Sequence, residues 1–142
     1  MVKEIKVNCK TLSCGKDCSL VELDVSSLKG YFLRVYLSHL SAPVLGDHMF
    51  GNRVQDIMGK RLAISPLQAD LLATFQKIPS NILNHLKLSE SALMPSCLHL
   101  NQLTLANFAS RDSNLILTAE PSPYFQYICN SFGLTLPADD PV

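Results

Sequence analysis

The chain has 142 residues, 47% hydrophobic and 17% charged, with twelve basic and twelve acidic side chains and no net charge. Such a length is about one domain, and the composition can bury a core rather than stay disordered. With zero net charge a general polyanion-binding surface is not evident, and no apolar run approaches the ~18 residues that would mark a membrane span. The charge is unevenly placed, however. Residues 1–61 hold nine Lys/Arg against six Asp/Glu, and residues 62–142 hold three against six. Any contact with nucleic acid is therefore expected in the first half.

Ile5, Val7 and Cys9 alternate with Glu4, Lys6, Asn8 and Lys10, which predicts a half-buried strand over 4–10. A domain opening directly on a strand, without a signal peptide or amphipathic presequence pattern, reads as truncated. Ser13-Cys14-Gly15-Lys16-Asp17 is a turn, and Leu20–Ser27 returns as the second strand of a hairpin, with Val21, Leu23 and Val25 on one face. Cys9, Cys14 and Cys18 lie close together but form no C-x2-C pair, so no metal site is expected. Five cysteines, an odd number, point to free thiols in a reducing compartment.

After Lys29-Gly30 the spacing becomes helical over 31–40, with Leu33, Tyr36, Leu37 and Leu40 on one face. Phe32 and Val35 widen that face until the helix should be mostly covered by protein. Arg34 and Ser38 form a narrow polar seam. A guanidinium inside such a helix needs a carboxylate or phosphate, because it cannot neutralise itself. It could clamp a catalytic carboxylate or substrate phosphate, or form a structural ion pair with Glu22, Asp24 or Asp47. Asp47, after Gly46, is expected to cap nearby turn amides.

Residues 48–64 read as a loop with a short extended piece at 61–64. Ser65-Pro66-Leu67-Gln68 is a helix start, predicting a helix to about Gln76, and a second short helix follows over 80–87 with Ile82, Leu83 and Leu86 inward. Leu98-His99-Leu100 and Leu103-Thr104-Leu105 are strand-like with a slip at Asn101-Gln102, which predicts a β-bulge. Asn107–Ser113 is a turn and Asn114–Ala119 the partner strand. Ser122-Pro123 starts a last helix, burying Phe125, Ile128, Cys129 and Phe132 and ending at Gly133. The order predicts an α+β fold with a largely antiparallel sheet and flanking helices, as one domain over 1–136 with a frayed tail over 137–142. The four histidines are scattered, and no phosphate-cradling glycine loop, H-E-x-x-H or G-x-S-x-G occurs.

Several of these segments match a known pattern. Leu33-Arg34-Val35 with Leu37, then His39-Leu40, Pro43-Val44-Leu45-Gly46-Asp47 and Phe50-Gly51, resemble the R-x-H-Q-[IL]-R-[VI]-H-[LM] and H-L-x-x-P-[VI]-L-G-D-x-x-Y-G stretches of RluA-type RNA pseudouridine synthases. Ser19-Leu20-Val21-Glu22-Leu23 and Leu98-His99-Leu100 with Leu103 resemble two strands of that family. Leu45–Phe50, Arg53-Val54 and Gly59-Lys60-Arg61 are similar to its mitochondrial branch, the RNA pseudouridylate synthase domain-containing proteins, above all the third member. The family's T-G-R arginine is Lys29 here, its His-Gln pair is Tyr31-Phe32, and its later histidine is Tyr36. Gly30-Tyr31-Phe32-Leu33-Arg34 is instead similar to a G-x-Y-[IV]-R stretch of the TruB branch.

The resemblance implies the C-terminal part of a pseudouridine synthase catalytic fold. It implies a cofactor-free isomerisation, in which a uridine is flipped out, an aspartate attacks, the glycosidic bond breaks, and the base turns and rejoins through carbon. Arg34 would pair with that aspartate, Leu33 would pack near the uracil, Lys29 would reach a phosphate, and Tyr31 would contact the substrate. The aspartate belongs to an R-L-D segment placed before residue 1, and none occurs here, since Arg61-Leu62 is followed by Ala63. This chain alone is therefore expected to be inactive. The implied partner is mitochondrial RNA, rRNA or mRNA, in the matrix. The competing expectation is the same fold without chemistry, as an RNA-binding or mitochondrial ribosome-assembly factor working with assembly proteins.

Overall fold

The computed structural model describes residues 4–51, 54–63 and 78–137. In chain order they form β1 (Val7–Cys14), β2 (Ser19–Val25), a 3-10 turn (Lys29–Tyr31), α1 (Phe32–His39), β3 (Val54–Ile57), β4 (Lys60–Ala63), α2 (Ser80–Leu86), β5 (Gln102–Leu105), β6 (Leu115–Thr118) and α3 (Pro123–Ser131). The fold is α+β, as the order of patterns predicted. Every described pairing is antiparallel, but the strands form three separate two-stranded hairpins, not one sheet. The helix expected at 65–76 lies outside the described residues, as does the tail beyond 137.

β1 pairs with β2 from Val7↔Val25 to Cys14↔Ser19, four residues further than the alternation at 4–10 indicated. The register shifts between Thr11 and Ser13, so Leu12 is the extra residue of a bulge. The shift re-aims the end of the hairpin, letting Leu12 and the buried Leu20 pack into the core. The bulge predicted at Asn101-Gln102 is not there. Extending the β5–β6 register backwards would set His99 opposite Pro121, which lacks the N–H for a ladder. Leu98 and Leu100 are accordingly exposed and outside any strand.

β3 and β4 form a hairpin where a loop was expected. Met58 and Gly59 supply the two positive φ angles, 53° and 75°, of a two-residue turn between Ile57 and Lys60. Methionine at the first of these positions hides the turn from a sequence reading, since Asn-Gly or Asp-Gly is the usual signal. α2 follows the sequence closely, burying Ile82, Leu83 and Leu86 and ending on left-handed Lys87. In α3 the hydroxyl of Ser122 accepts the Phe125 amide at 3.3 Å, Pro123 occupies the first turn, and Gly133 closes the helix at φ +66°.

The core joins Leu20, Ile82, Leu86, Met94, Ile128, Cys129, Phe132 and Leu134, so α2 and α3 pack against the far end of the first hairpin. Burying one such aliphatic or aromatic side chain contributes about 1.5–3 kcal/mol. The stretch 94–97 ties this core to the turn that follows α1. There the Cys97 amide donates to the Leu45 carbonyl at 2.7 Å, and the Ser96 hydroxyl donates to the Gly46 carbonyl at 3.3 Å. α1 itself is less covered than its apolar residues indicated. Leu37 and Ser38 are buried, whereas Val35 and Leu40 are exposed.

Candidate functional site

Two left-handed residues that end the 3-10 turn, Gly30 (φ 66°) and Tyr31 (φ 57°), lead into α1 and set the direction of the helix. Arg34 lies in the first turn of α1, and Ser38 follows one turn later on the same seam. The chain then bends through residues 41–46 to bring Asp47 back beneath the helix. The Asp47 amide donates to the Val44 carbonyl at 3.1 Å, and its own carbonyl accepts the Gly51 amide at 2.9 Å.

Arg34 and Asp47 form a two-point pair. Arg34 Nε donates to Asp47 Oδ2 at 2.8 Å, and Nη2 donates to Oδ1 at 2.6 Å. Oδ1 also accepts the backbone amides of Met49 and Phe50, each at 3.0 Å. The Asp47 side chain is 0% exposed and that of Arg34 18%. The carboxylate is thus fully engaged, in the charge-assisted geometry that makes such pairs strong. Burial alone would push the Asp47 carboxyl up; the Arg34 hydrogen bond, the Phe50 and Met49 amides and the arginine's charge outweigh it and hold the group below the usual carboxylate range. The hydrogen bond to Asp47 likewise raises Arg34 above its ordinary value, against the opposing effect of burial.

Two aromatic rings pack beside the cation. The Arg34 guanidinium carbon is 5.0 Å from the Phe50 ring centre and 5.4 Å from that of Tyr31, within cation–π range. The two rings meet each other at 6.0 Å. Phe50 is buried and Tyr31 exposed, and with their centres only 6.0 Å apart the two rings cover the same side of the guanidinium, one from the core and one from the surface. The Ser38 hydroxyl donates to the Phe50 carbonyl at 2.8 Å and pins the loop to α1.

The structure therefore brings together Arg34, Asp47 and Tyr31, of which the sequence singled out Arg34 and Tyr31 as site residues. Of the three carboxylates open to Arg34 on sequence grounds, Asp47 is the one it holds, and Glu22 and Asp24 sit exposed on β2. Asp47 also caps turn amides as its place after Gly46 predicted. Leu33 is half-buried in the first turn of α1, and Lys29 is exposed in the 3-10 turn, where its amide donates to the Ser27 hydroxyl at 3.4 Å. No recorded contact joins Lys29 to Arg34 among the described residues. Phe50 was missed as a site residue, although its place three residues after Asp47, before Gly51, was a usable signal. Among the described residues no three His, Cys, Asp or Glu side chains are grouped to hold a metal, and no helix is long and apolar enough to cross a membrane.

The α+β fold thus carries an arginine–aspartate pair, with the exposed Tyr31 ring against the arginine and the aspartate on a Pro-Val-Leu-Gly-Asp turn. No family model matches the chain, and no solved structure does. Curated proteins match along most of it. The human mitochondrial mRNA pseudouridine synthase RPUSD3 is 31% identical over 137 residues, 95% of this chain and 38% of its own length. Its mouse counterpart is 34% identical over 116 residues, covering 80% of this chain and 33% of the relative. The mouse mitochondrial pseudouridylate synthase RPUSD4 is 33% identical over 133 residues, 92% and 31% respectively. The chain belongs to this RluA-like family of mitochondrial pseudouridine synthases, and it spans about a third of the length of the relatives it matches.

Proposed function

We propose that this chain is part of an RNA pseudouridine synthase that converts uridine to pseudouridine in mitochondrial RNA, and that Arg34 is the partner of the catalytic aspartate. The similarity to named pseudouridine synthases supports the class of reaction. The observation that carries the site is the folding of two matching segments, Leu33–Val35 and Pro43–Asp47, onto each other through the Arg34–Asp47 pair. In this reading the aspartate lies outside the 142 residues. Arg34 keeps it ionised and aimed, because a cation at hydrogen-bond range lowers a carboxylate's pKa by about 1–3 units. Leu33 offers an apolar wall to the uracil. The exposed Tyr31 ring offers a face for a base, and Lys29 a cation for a phosphate. No cofactor is needed, since the reaction is an isomerisation: the N1–C1′ bond breaks, a C5–C1′ bond forms, and the proton lost from C5 is balanced by one gained at N1.

The test uses the complete protein on mitochondrial RNA, with pseudouridine measured by nucleoside mass spectrometry. Wild type should form it, and Arg34→Ala should lose at least about 100-fold in rate while keeping RNA affinity. Fractionation of mitochondria should place the protein in the matrix.

A second reading is a binding-only factor, acting on RNA or in ribosome assembly. It is favoured by Tyr31 and Phe32 standing where the family pattern has His-Gln, beside an arginine that already holds a carboxylate of its own chain. Tight RNA binding by wild-type protein that forms no pseudouridine would establish it.

A further inference from the structure

Arg34 carries five N–H donors, arranged as two forks: a side edge of Nε and Nη2, and an end edge of Nη1 and Nη2. Asp47 occupies the side edge, at 2.8 and 2.6 Å. Two donors are engaged there, and no acceptor among the described residues takes Nη1 or the second Nη2 hydrogen. The planar cation also packs against Phe50, buried, and Tyr31, exposed, whose neighbouring rings cover the same side of it. Asp47 in turn is fixed by the Met49 and Phe50 amides, and Phe50 is tied to Ser38 on α1.

We infer that Asp47 is a positioning residue: it holds the side edge of Arg34 so that the end edge is presented as a ready fork to a second carboxylate, that of the catalytic aspartate. This rests on the synthase reading above. Arg34 then bridges two carboxylates at once, one permanent and one reactive. Asp47 touches no substrate, and it acts only through Arg34. A lysine could not replace the arginine, because a single ammonium cannot span both carboxylates with fixed geometry.

The experiment measures pseudouridine formation by the complete protein under multiple-turnover conditions, for wild type, Asp47→Asn, Arg34→Ala and the double variant. Asparagine keeps the Oδ1 acceptor for the Met49 and Phe50 amides but cannot accept from both arginine nitrogens. Asp47→Asn is expected to lower kcat by about 10- to 100-fold, as a small misplacement of a catalytic group does. KM for RNA should stay within about twofold. The double variant should be no slower than Arg34→Ala alone, because Asp47 has no route to the reaction except through Arg34. If Asp47→Asn does not fold, Arg34→Lys carries the test: it should match the loss in Arg34→Ala despite keeping the charge. Unchanged kcat in Asp47→Asn, losses that simply add in the double variant, or full activity in Arg34→Lys would each overturn the positioning role while leaving the synthase reading intact. A wild-type protein that forms no pseudouridine would instead remove that reading and this role with it.

Discussion

Gly46 and Pro95 come so close that a β-carbon on Gly46 would lie 2.2 Å from the Pro95 carbonyl oxygen. The contact joins the turn carrying Asp47 to the stretch anchored in the core, and it fixes where the carboxylate meets Arg34. Gly46 also holds φ +80°, which side-chain-bearing residues adopt at a cost of about 1–2 kcal/mol. Gly46→Ala is therefore expected to destabilise the protein by about 3 kcal/mol or more, strain and overlap with backbone acting together. Urea denaturation checks this: the midpoint should fall with little change in slope.

The Asp47 pair predicts a particular acid limb. Its carboxyl is held below the ordinary carboxylate value of ~3.9 in the folded protein. A lowered folded-state pKa adds stability that is present above ~4 and is lost as pH falls through the lower, folded value. Melting temperatures measured from pH 7 to pH 2 should drop at the acid end for the wild type. Asp47→Asn should start lower, by about 2–4 kcal/mol for an arginine left without its carboxylate, and lose less on acidification. A wild-type curve as flat as the variant's would contradict this.

Ser38 is buried, and its hydroxyl satisfies the Phe50 carbonyl at 2.8 Å. Ser38→Ala removes that hydrogen bond and should cost about 1 kcal/mol. The loss should loosen the Asp47–Phe50 turn specifically, so hydrogen exchange at the Met49 and Phe50 amides should accelerate more than exchange in α3.

The cysteines divide by burial. Cys9 and Cys14 are exposed, Cys129 is buried, and burial pushes the Cys97 thiol up to about 11 despite its contact with the Tyr124 hydroxyl at 3.9 Å. Burial also raises Cys129. At pH 8 only roughly one Cys97 in a thousand is thiolate, which is the reactive form. Iodoacetamide labelling at that pH, followed by peptide mass spectrometry, should modify Cys9 and Cys14 well before Cys97 and Cys129. Equal rates at all four would refute the packing around Cys97.

Much of this organisation was legible in the residues themselves. The half-buried Ile5, Val7, Leu23 and Val25, the Ser122-Pro123 start and the inward Ile82, Leu83 and Leu86 all follow from local periodicity and hold in the structure, whereas Cys9 and Val21, set on the same faces by that alternation, are exposed. An arginine inside an apolar helix announced its need for an anion, and the Pro-Val-Leu-Gly-Asp turn carried the family likeness. These signals are local because side-chain direction along a helix or strand is set by the backbone period alone.

Which carboxylate met Arg34 was a different kind of question. Glu22, Asp24 and Asp47 all satisfied the charge requirement, and only the approach of 44–47 to 94–97, with a glycine where no β-carbon fits, chose Asp47. The bulge at Leu12, the turn at Met58-Gly59 and the end of the β5 ladder opposite Pro121 were likewise decided by partners distant in sequence or by φ angles that residue type only biases. Sequence alone determined the first hairpin, the helices over 80–86 and 123–131, the family and the presence of an anion-seeking cation, because those depend on composition and spacing. The tertiary structure decided which groups are partners, because pairing energy depends on distance and exclusion of water, and both exist only after the chain has folded.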